Sequence, residues 1–356
     1  MAATVLRFNR TRLAPSPTGR LHLGHARTFL VTWWLARQAW AQVVMRMEDL
    51  DAGRAKAEAV AQAYEDLQWL GMDWDLGPGT EARSSKDHKG GVGSLVQSER
   101  AAAGVYDAVV ERLWQAEAIF PCVCTRADLL AAVAGGASAP HEGENQPRYP
   151  GTCRGLLAGI DGPMRGLTVA DAARSVRLAT GKVPCWRLLV RPGTQAFDDL
   201  IMGAQRFDVS AEAGDFPVTR FDEAPAYQLA VVADDSAMGI DCVIRGDDLL
   251  SSTPRQMLVY QALGRPVPAF AHVPLVIGPD GKRLAKRHGE SRIAQFRAAG
   301  IRPERIVGWA AWCSGQIACP QEMAAADMIG KFDLAKLPRG RVVMTGEDLN
   351  WLAGKV

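Results

Sequence analysis

The segment from Arg12 to His25 constrains the fold of this 356-residue chain more than any other. Two prolines and two glycines predict a tight loop here, and an apolar, helix-forming run from Ala26 to Trp40 follows directly. A helix start binds anions, because its first N–H groups are unpaired and the helix dipole is positive there. His22 could donate a hydrogen bond to a phosphate oxygen at this point, as could His25. The simpler alternative is a capped helix with two surface histidines.

The two histidines stand in a pattern that is known from one enzyme family. His22-Leu-Gly-His25, after Ala14-Pro-Ser-Pro-Thr-Gly19, resembles the HIGH motif of class I aminoacyl-tRNA synthetases, in the form used by the enzymes for glutamate and glutamine. The resemblance implies an α/β fold with a Rossmann-like parallel sheet. It also implies ATP binding and adenylate formation, with His22, Gly24 and His25 at the phosphates.

Composition and charge exclude a few classes of protein. The formal net charge is only +2, so any contact with nucleic acid must come from local basic patches. An odd number of cysteines, seven, without a recognisable signal peptide indicates reduced thiols, and we expect a cytoplasmic protein. No apolar run approaches the roughly 18 residues that a membrane-spanning helix needs.

Two predicted strands end at candidate substrate-binding residues. Residues 43–46 predict a buried strand that leads to Glu48, and residues 240–245 predict a parallel core strand that ends at Arg245. Ligands collect beyond such strand ends in open α/β sheets. A carboxylate can hold an ammonium group, and a guanidinium can bind a carboxylate through two hydrogen bonds. Without further support, Glu48 could instead cap the predicted helix over residues 57–70, and Arg245 could be structural.

The family resemblance adds further members to this pocket. It places five residues around the substrate, at positions that hold glutamate in the glutamyl branch: Arg12, Ser16, Glu48, Tyr227 and Arg245. Two arginines beside one small pocket favour an acidic substrate side chain. Neutral glutamine would leave a buried guanidinium badly paired, at a cost of roughly 1–3 kcal/mol. L-Glutamate is therefore the implied amino acid.

A short basic segment lies far downstream of the histidines. Alone, such a cluster would be a solvated turn. However, Arg283-Leu-Ala-Lys286-Arg287 resembles the KMSKS loop of the same family, with Ala285 where serine is common. The resemblance implies that Lys286 binds ATP and meets the charge that develops on pyrophosphate, together with Mg²⁺.

A group of cysteines predicts a metal site. Cys122, Cys124 and Cys153 could share one tetrahedral zinc ion with a fourth oxygen or nitrogen donor, although chance clustering is the alternative. The spacing Tyr149-x-x-x-Cys153 resembles the Cys-Cys-Tyr-Cys zinc site of bacterial glutamyl-queuosine tRNA(Asp) synthetases. This implies Tyr149 as the fourth ligand of a structural zinc, with His141 as its rival.

The resemblance divides the chain into four parts. We expect the catalytic domain to consist of two halves, residues 1–118 and 214–290. Between them, residues 119–213 are expected to form an inserted zinc-bearing and acceptor-binding subdomain. A short helical C-terminal region is expected over residues 291–356. Alternating polar and β-prone residues predict antiparallel strands over residues 166–214. The examples are residues 175–178 and 184–190. Cys185, within the second example, is expected to pack only, because no partner ligand is near it in sequence.

The chain after the basic segment bears on the acceptor. Residues 289–356 are too few for the large anticodon-binding domains that follow this loop in ordinary glutamyl-tRNA synthetases. The resemblance therefore narrows to the shorter enzymes that glutamylate queuosine at the wobble position of tRNA(Asp).

Three alternatives to this acceptor stay open. They are a minimal glutamyl-tRNA synthetase charging the 3′ end of tRNA(Glu), an adenylate-forming enzyme with a non-tRNA acceptor, and a catalytically idle tRNA-binding module. Insertions at residues 77–94 and 135–146 are unusual for the shorter enzymes, and the function of the first cannot be read from its sequence.

Overall fold

The computed structural model describes residues 6–17, 19–51, 57–80, 93–134, 148–156, 166–282, 284 and 291–355. In chain order its elements are β1 (Arg10–Leu13), α1 (Leu23–Gln38), β2 (Gln42–Met45), α2 (Ala57–Trp69), α3 (Gln97–Ala102), α4 (Val105–Gln115), β3 (Ile119–Cys122), α5 (Arg126–Ala134), α6 (Val169–Thr180), β4 (Cys185–Leu188), β5 (Gln195–Asp199), β6 (Gly203–Phe207), α7 (Val209–Glu212), α8 (Tyr227–Ala237), β7 (Cys242–Gly246), α9 (Ser252–Ala262), β8 (Ala269–Val273), β9 (Val276–Ile277), α10 (Ile293–Ala298), α11 (Pro303–Cys313), β10 (Val342–Val343) and α12 (Gly346–Leu352).

Parallel strands form the centre of the molecule. Strand β1 pairs with β2, β7 with β8, and β9 with β10, all in parallel. Strands β1 and β7 lie side by side: the Asp241 carboxylate accepts the Arg10 backbone N–H at 2.8 Å, and the Arg12 guanidinium donates to the Ile244 carbonyl at 3.0 Å. Residues about 230 positions apart in sequence thus lie in neighbouring strands.

Helix α1 is the main packing element of the core. Leu30 and Trp34 in its middle are completely buried. The Trp34 indole donates to the Ala325 carbonyl at 2.9 Å, and the buried Arg27 donates to the Pro274 carbonyl at 2.6 Å and to Ser314 Oγ at 3.0 Å. The C-terminal region, including α11, therefore shares one hydrophobic core with α1.

The region between β2 and β7 contains antiparallel strands, as the sequence predicts. Strand β3 pairs with β4, and β5 forms a hairpin with β6. The prediction of a strand over residues 175–178 is wrong, because these residues lie in α6. Thr168 caps this helix together with Asp171, and its buried residues Ala172 and Val176 are four positions apart, a helical spacing that the short alternation concealed.

The helices of the described part of the chain are all too short or too polar to cross a lipid bilayer.

Candidate active site

One pocket of about 460 Å³ opens beyond the carboxyl ends of β1 and β7. Its walls include every substrate- and ATP-binding residue that the sequence predicts, with a single exception: Arg12, Ser16, His22, Gly24, His25, Glu48, Tyr227 and Arg245. The exception, Lys286, lies outside the described residues. Residues that are scattered over more than 230 positions of sequence therefore share one cavity.

The histidine loop forms one side of this pocket. The rings of His22 and His25 stack with their centroids 3.7 Å apart, at the start of the 16-residue helix α1. The close approach requires Gly24 between them, because a Cβ atom at this position would lie 3.2 Å from the His22 ring. Both imidazoles thus lie at the positive end of a helix dipole, where phosphate oxygens bind favourably.

A network of buried charges connects two residues of the pocket wall, Glu48 and Arg12. Glu48 accepts a hydrogen bond from Arg46 at 2.8 Å, and Arg46 also donates to Asp235 at 2.5 Å. Asp235 lies 3.4 Å from the Arg12 Nε atom. This network fixes the predicted ammonium-binding carboxylate relative to the first predicted carboxylate-binding guanidinium. The sequence analysis missed Arg46 and Asp235, since nothing in their local sequence marks them as partners.

Arg245 is the second predicted carboxylate-binding residue, and it is only 5% exposed. Its Nη2 group donates to Thr253 Oγ1 at 2.8 Å and to the Leu249 carbonyl at 3.3 Å, while Nη1 is buried without a hydrogen-bond partner. Burial lowers the pKa of Arg245, and the nearby charge of Arg12 lowers the same pKa further. A bound carboxylate would relieve both effects. Tyr227, at the start of α8, is 38% exposed and forms part of the pocket wall.

The cysteines form a separate cluster beside β3. The sulfur atoms of Cys122, Cys124 and Cys153 all lie within 4.8 Å of one another. A tetrahedral zinc site separates its sulfur ligands by about 3.8 Å, because each Zn–S bond is about 2.3 Å long. The Tyr149 hydroxyl lies 3.5 Å from the Cys122 sulfur and accepts the Cys153 backbone N–H at 2.7 Å. The donor set that the sequence predicts is therefore brought together, whereas the rival ligand His141 lies outside the described residues.

The surroundings of this cluster fit a thiophilic cation. The guanidinium of Arg187 lies 4.2 Å from the centroid of the Tyr149 ring, a cation–π contact, while burial raises the pKa of the Tyr149 hydroxyl. Cys185 packs in the same buried cluster, where it lies opposite Cys122 in the β3–β4 register. Hydrogen bonds with Cys185 and Tyr149 lower the pKa of the Cys122 thiol, whereas burial raises the pKa of the Cys124 thiol. A thiolate is the form that binds zinc. The cross-strand partner could not be recognised before β3 and β4 were paired.

Parallel strands, paired histidines at a helix start and a pocket with two arginines together define a catalytic domain of the class I synthetase type. Residues 9–351 match the family model described as tRNA synthetases class I (E and Q), catalytic domain. The glutamyl-Q tRNA(Asp) synthetase of Symbiobacterium thermophilum is 46% identical over 344 residues, which cover 96% of this chain and 98% of the relative. The glutamyl-Q tRNA(Asp) synthetase of Rhodopirellula baltica is 42% identical, and the match covers 94% of this chain and 95% of the relative. The chain therefore belongs to the glutamyl-Q tRNA(Asp) synthetase family of class I synthetases.

A solved structure shows the same fold in a longer protein. The crystal structure of a glutamate tRNA ligase from Elizabethkingia meningosepticum in complex with its amino acid superimposes with a TM-score of 0.76, at 26% sequence identity. The match covers 97% of this chain but only 68% of the ligase. The predicted α/β class I catalytic fold is thereby confirmed.

Proposed function

We propose that this protein activates L-glutamate with ATP and transfers the glutamyl group to queuosine at the wobble position of tRNA(Asp). The observation that carries the activation step is the single pocket in which both histidines and both arginines meet Glu48. The choice of acceptor rests on relatives that carry this name and match over 95–98% of their own length. A tRNA substrate also supports the expected cytoplasmic location.

In the first step, the α-carboxylate of glutamate attacks the α-phosphorus of ATP, and the bond from this phosphorus to pyrophosphate breaks. Glu48 holds the ammonium group, while Arg12 and Arg245 pair with carboxylate charge. Ser16 and Tyr227 supply hydroxyl groups. The reaction needs placement and charge neutralisation more than a protein nucleophile.

The phosphates lie toward the histidine loop. His22 and His25 bind phosphate oxygens, Gly24 allows the close approach, and Lys286 meets charge on the leaving pyrophosphate. Mg²⁺ bound with ATP supplies further neutralisation of the phosphate charge. In the second step, a hydroxyl group of queuosine attacks the carbonyl carbon of the adenylate, and AMP leaves.

Glutamate-dependent exchange of labelled pyrophosphate into ATP tests the activation step. The purified protein should catalyse exchange with glutamate and much more slowly with glutamine. Lys286→Ala should slow it by about 10²-fold or more, because a charge that binds the transition state is lost. Lys355→Ala, near the C-terminus, is the matched control. Full exchange by Lys286→Ala would reject the role of Lys286, and no exchange by the wild type would reject the function.

We further propose that residues 119–213 form a zinc-bearing, acceptor-binding subdomain between catalytic halves at residues 1–118 and 214–290, followed by a helical region at residues 291–356. The convergence of three thiols and a phenol supports a structural zinc held by Cys122, Cys124, Tyr149 and Cys153. Such an ion would tie the β3 end to the chain around residue 150.

Metal analysis of purified protein tests the zinc site. The wild type should contain about one zinc ion per chain, and Cys122→Ala should lose most of it, because three ligands bind zinc less tightly than four. Cys242→Ala, a buried cysteine in β7 outside the cluster, is the control and should keep its zinc. An unchanged zinc content in Cys122→Ala would reject the site.

A further inference from the structure

A row of buried hydrogen bonds leads from the β5–β6 hairpin to Arg245. The Asp199 carboxylate, at the end of β5, lies 2.6 Å from His272 Nδ1 through its Oδ2 atom. His272 Nε2 in turn lies 3.1 Å from Arg245 Nε, which donates to it. His272 is completely inaccessible, and Asp199 and Arg245 are at most 5% exposed. Neither Asp199 nor His272 lines the substrate pocket, so the row reaches the pocket only through Arg245.

The chemistry of this row fixes the position of one proton. A guanidinium can only donate, so His272 Nε2 must carry its lone pair toward Arg245. The neutral ring then carries its proton on Nδ1, from which it donates to Asp199. The carboxylate therefore selects the one tautomer of His272 that can hold Arg245.

The donors of Arg245 divide into two sets. Nε–H and both Nη2 hydrogens are directed to His272, Thr253 and the Leu249 carbonyl, whereas the buried Nη1 group has no hydrogen-bond partner. The Phe270 ring supports the guanidinium as well, at 5.5 Å. Thus the protein fixes the Nε and Nη2 groups of the guanidinium, whereas the Nη1 group keeps two N–H donors for a ligand. This is the arrangement expected of an anion-binding arginine held in advance by its neighbours.

We propose that Asp199 and His272 are positioning residues for glutamate, which orient Arg245 so that its Nη1 group meets a carboxylate of the substrate. This inference rests on the proposed activation of glutamate. It gives the β5–β6 hairpin a function at a distance, because the hairpin supplies Asp199 without contacting the substrate.

Asp199→Asn is the sharpest test, because it is isosteric. Asp199 Oδ1 accepts backbone N–H groups of Ile201, Met202 and His272, and an asparagine oxygen keeps these bonds. The new NH₂ group, however, faces His272 Nδ1 and forces the ring proton onto Nε2, against the Arg245 Nε–H. We expect the KM for glutamate in pyrophosphate exchange to rise roughly 10- to 100-fold, the effect of one lost charge-assisted hydrogen bond. The KM for ATP should change less than about twofold.

Two further variants separate positioning from folding. His272→Gln can return an amide oxygen to the place of Nε2, so its KM for glutamate should rise less than that of His272→Leu. Asp215→Asn is the matched control: it changes a carboxylate that is 1% exposed and accepts hydrogen bonds from Arg154 and Val190, but does not line the pocket. Both of its KM values should stay unchanged.

The proton itself can be observed by ¹⁵N NMR of labelled protein. In the wild type, His272 should be protonated on Nδ1, and in Asp199→Asn on Nε2. A wild-type ring protonated on Nε2 would overturn the proposal even if no variant folds. An unchanged KM for glutamate in Asp199→Asn, or an equal rise of the KM for ATP, would overturn it as well. Absence of exchange by the wild type would instead reject the proposed function, and the NMR result would still decide the tautomer.

Discussion

Arg46 is the residue on which the acidic side of the pocket depends. Its side chain is fully buried, yet it is surrounded by Asp235, Glu48 and Asp234. Burial opposes the charge of Arg46, but these carboxylates outweigh it and raise its pKa well above the ordinary value. Glu48 therefore has a buried cation as its partner, so its carboxylate is not an uncompensated buried charge.

Loss of this arginine should destabilise the whole protein. Arg46→Met removes the hydrogen bonds from Arg46 to the buried carboxylates of Glu48 and Asp235, and we expect the free energy of unfolding to fall by about 3–5 kcal/mol. Arg297→Met removes the half-exposed ion pair of Arg297 with Glu65, 2.7 Å apart, and should cost less than about 1 kcal/mol. Urea unfolding measures both. If both variants lost less than about 1 kcal/mol of unfolding free energy, the buried network would contribute little to stability.

At this scale, the residues that line the pocket could be predicted from the sequence, whereas their buried partners could not. Glu48 and Arg245 were recognisable because they follow predicted strands and match a family pattern. Their partners were not, because Asp235 is 189 positions from Arg46, and His272 is 27 positions from Arg245. Such contacts form only when the end of β2 meets α8 and when β7 pairs with β8, and no local pattern encodes that arrangement.

At the scale of elements, α11 shows how closely the C-terminal region packs against itself. Gly308 in this helix packs directly against the backbone around Gln321, since a Cβ atom at position 308 would nearly coincide with the Gln321 carbonyl oxygen. The helix can thus approach the following segment only without a side chain at this position.

We therefore expect Gly308→Ala to destabilise the protein, although alanine is the better helix former by about 1 kcal/mol. Displacing the backbone around Gln321 should cost about 1–3 kcal/mol net. Gly346→Ala, at the start of α12 with no atom within 4 Å of the added Cβ, should be neutral within about 0.5 kcal/mol. Thermal unfolding compares the two variants. A Gly308→Ala protein as stable as the wild type would contradict this packing.

Element types were mostly predictable, and the exception has a physical cause. Helix α2 and strand β7 follow from long, consistent apolar patterns. Residues 175–178 alternate as a strand would, but they lie in α6, where Leu178 is 83% exposed. A run of only four residues fits the repeat of a strand as well as that of a helix. The capping box at Thr168, which lies outside residues 175–178, favours the helix.

At the scale of the whole molecule, the chain corresponds to the catalytic part of a longer synthetase. It covers 68% of the glutamate tRNA ligase structure, but 95–98% of its glutamyl-Q relatives. The C-terminal helices pack on α1 instead of forming a separate body. The pocket thus lies in the part of the fold that this chain shares with the ligase.

Transfer of labelled glutamate to three purified RNAs, with ATP and Mg²⁺, tests this account most directly. The RNAs are tRNA(Asp) with queuosine, tRNA(Asp) without it, and tRNA(Glu). We expect label on the first alone, released by mild base as an ester would be. Label on tRNA(Glu), or equal label on both forms of tRNA(Asp), would contradict the account.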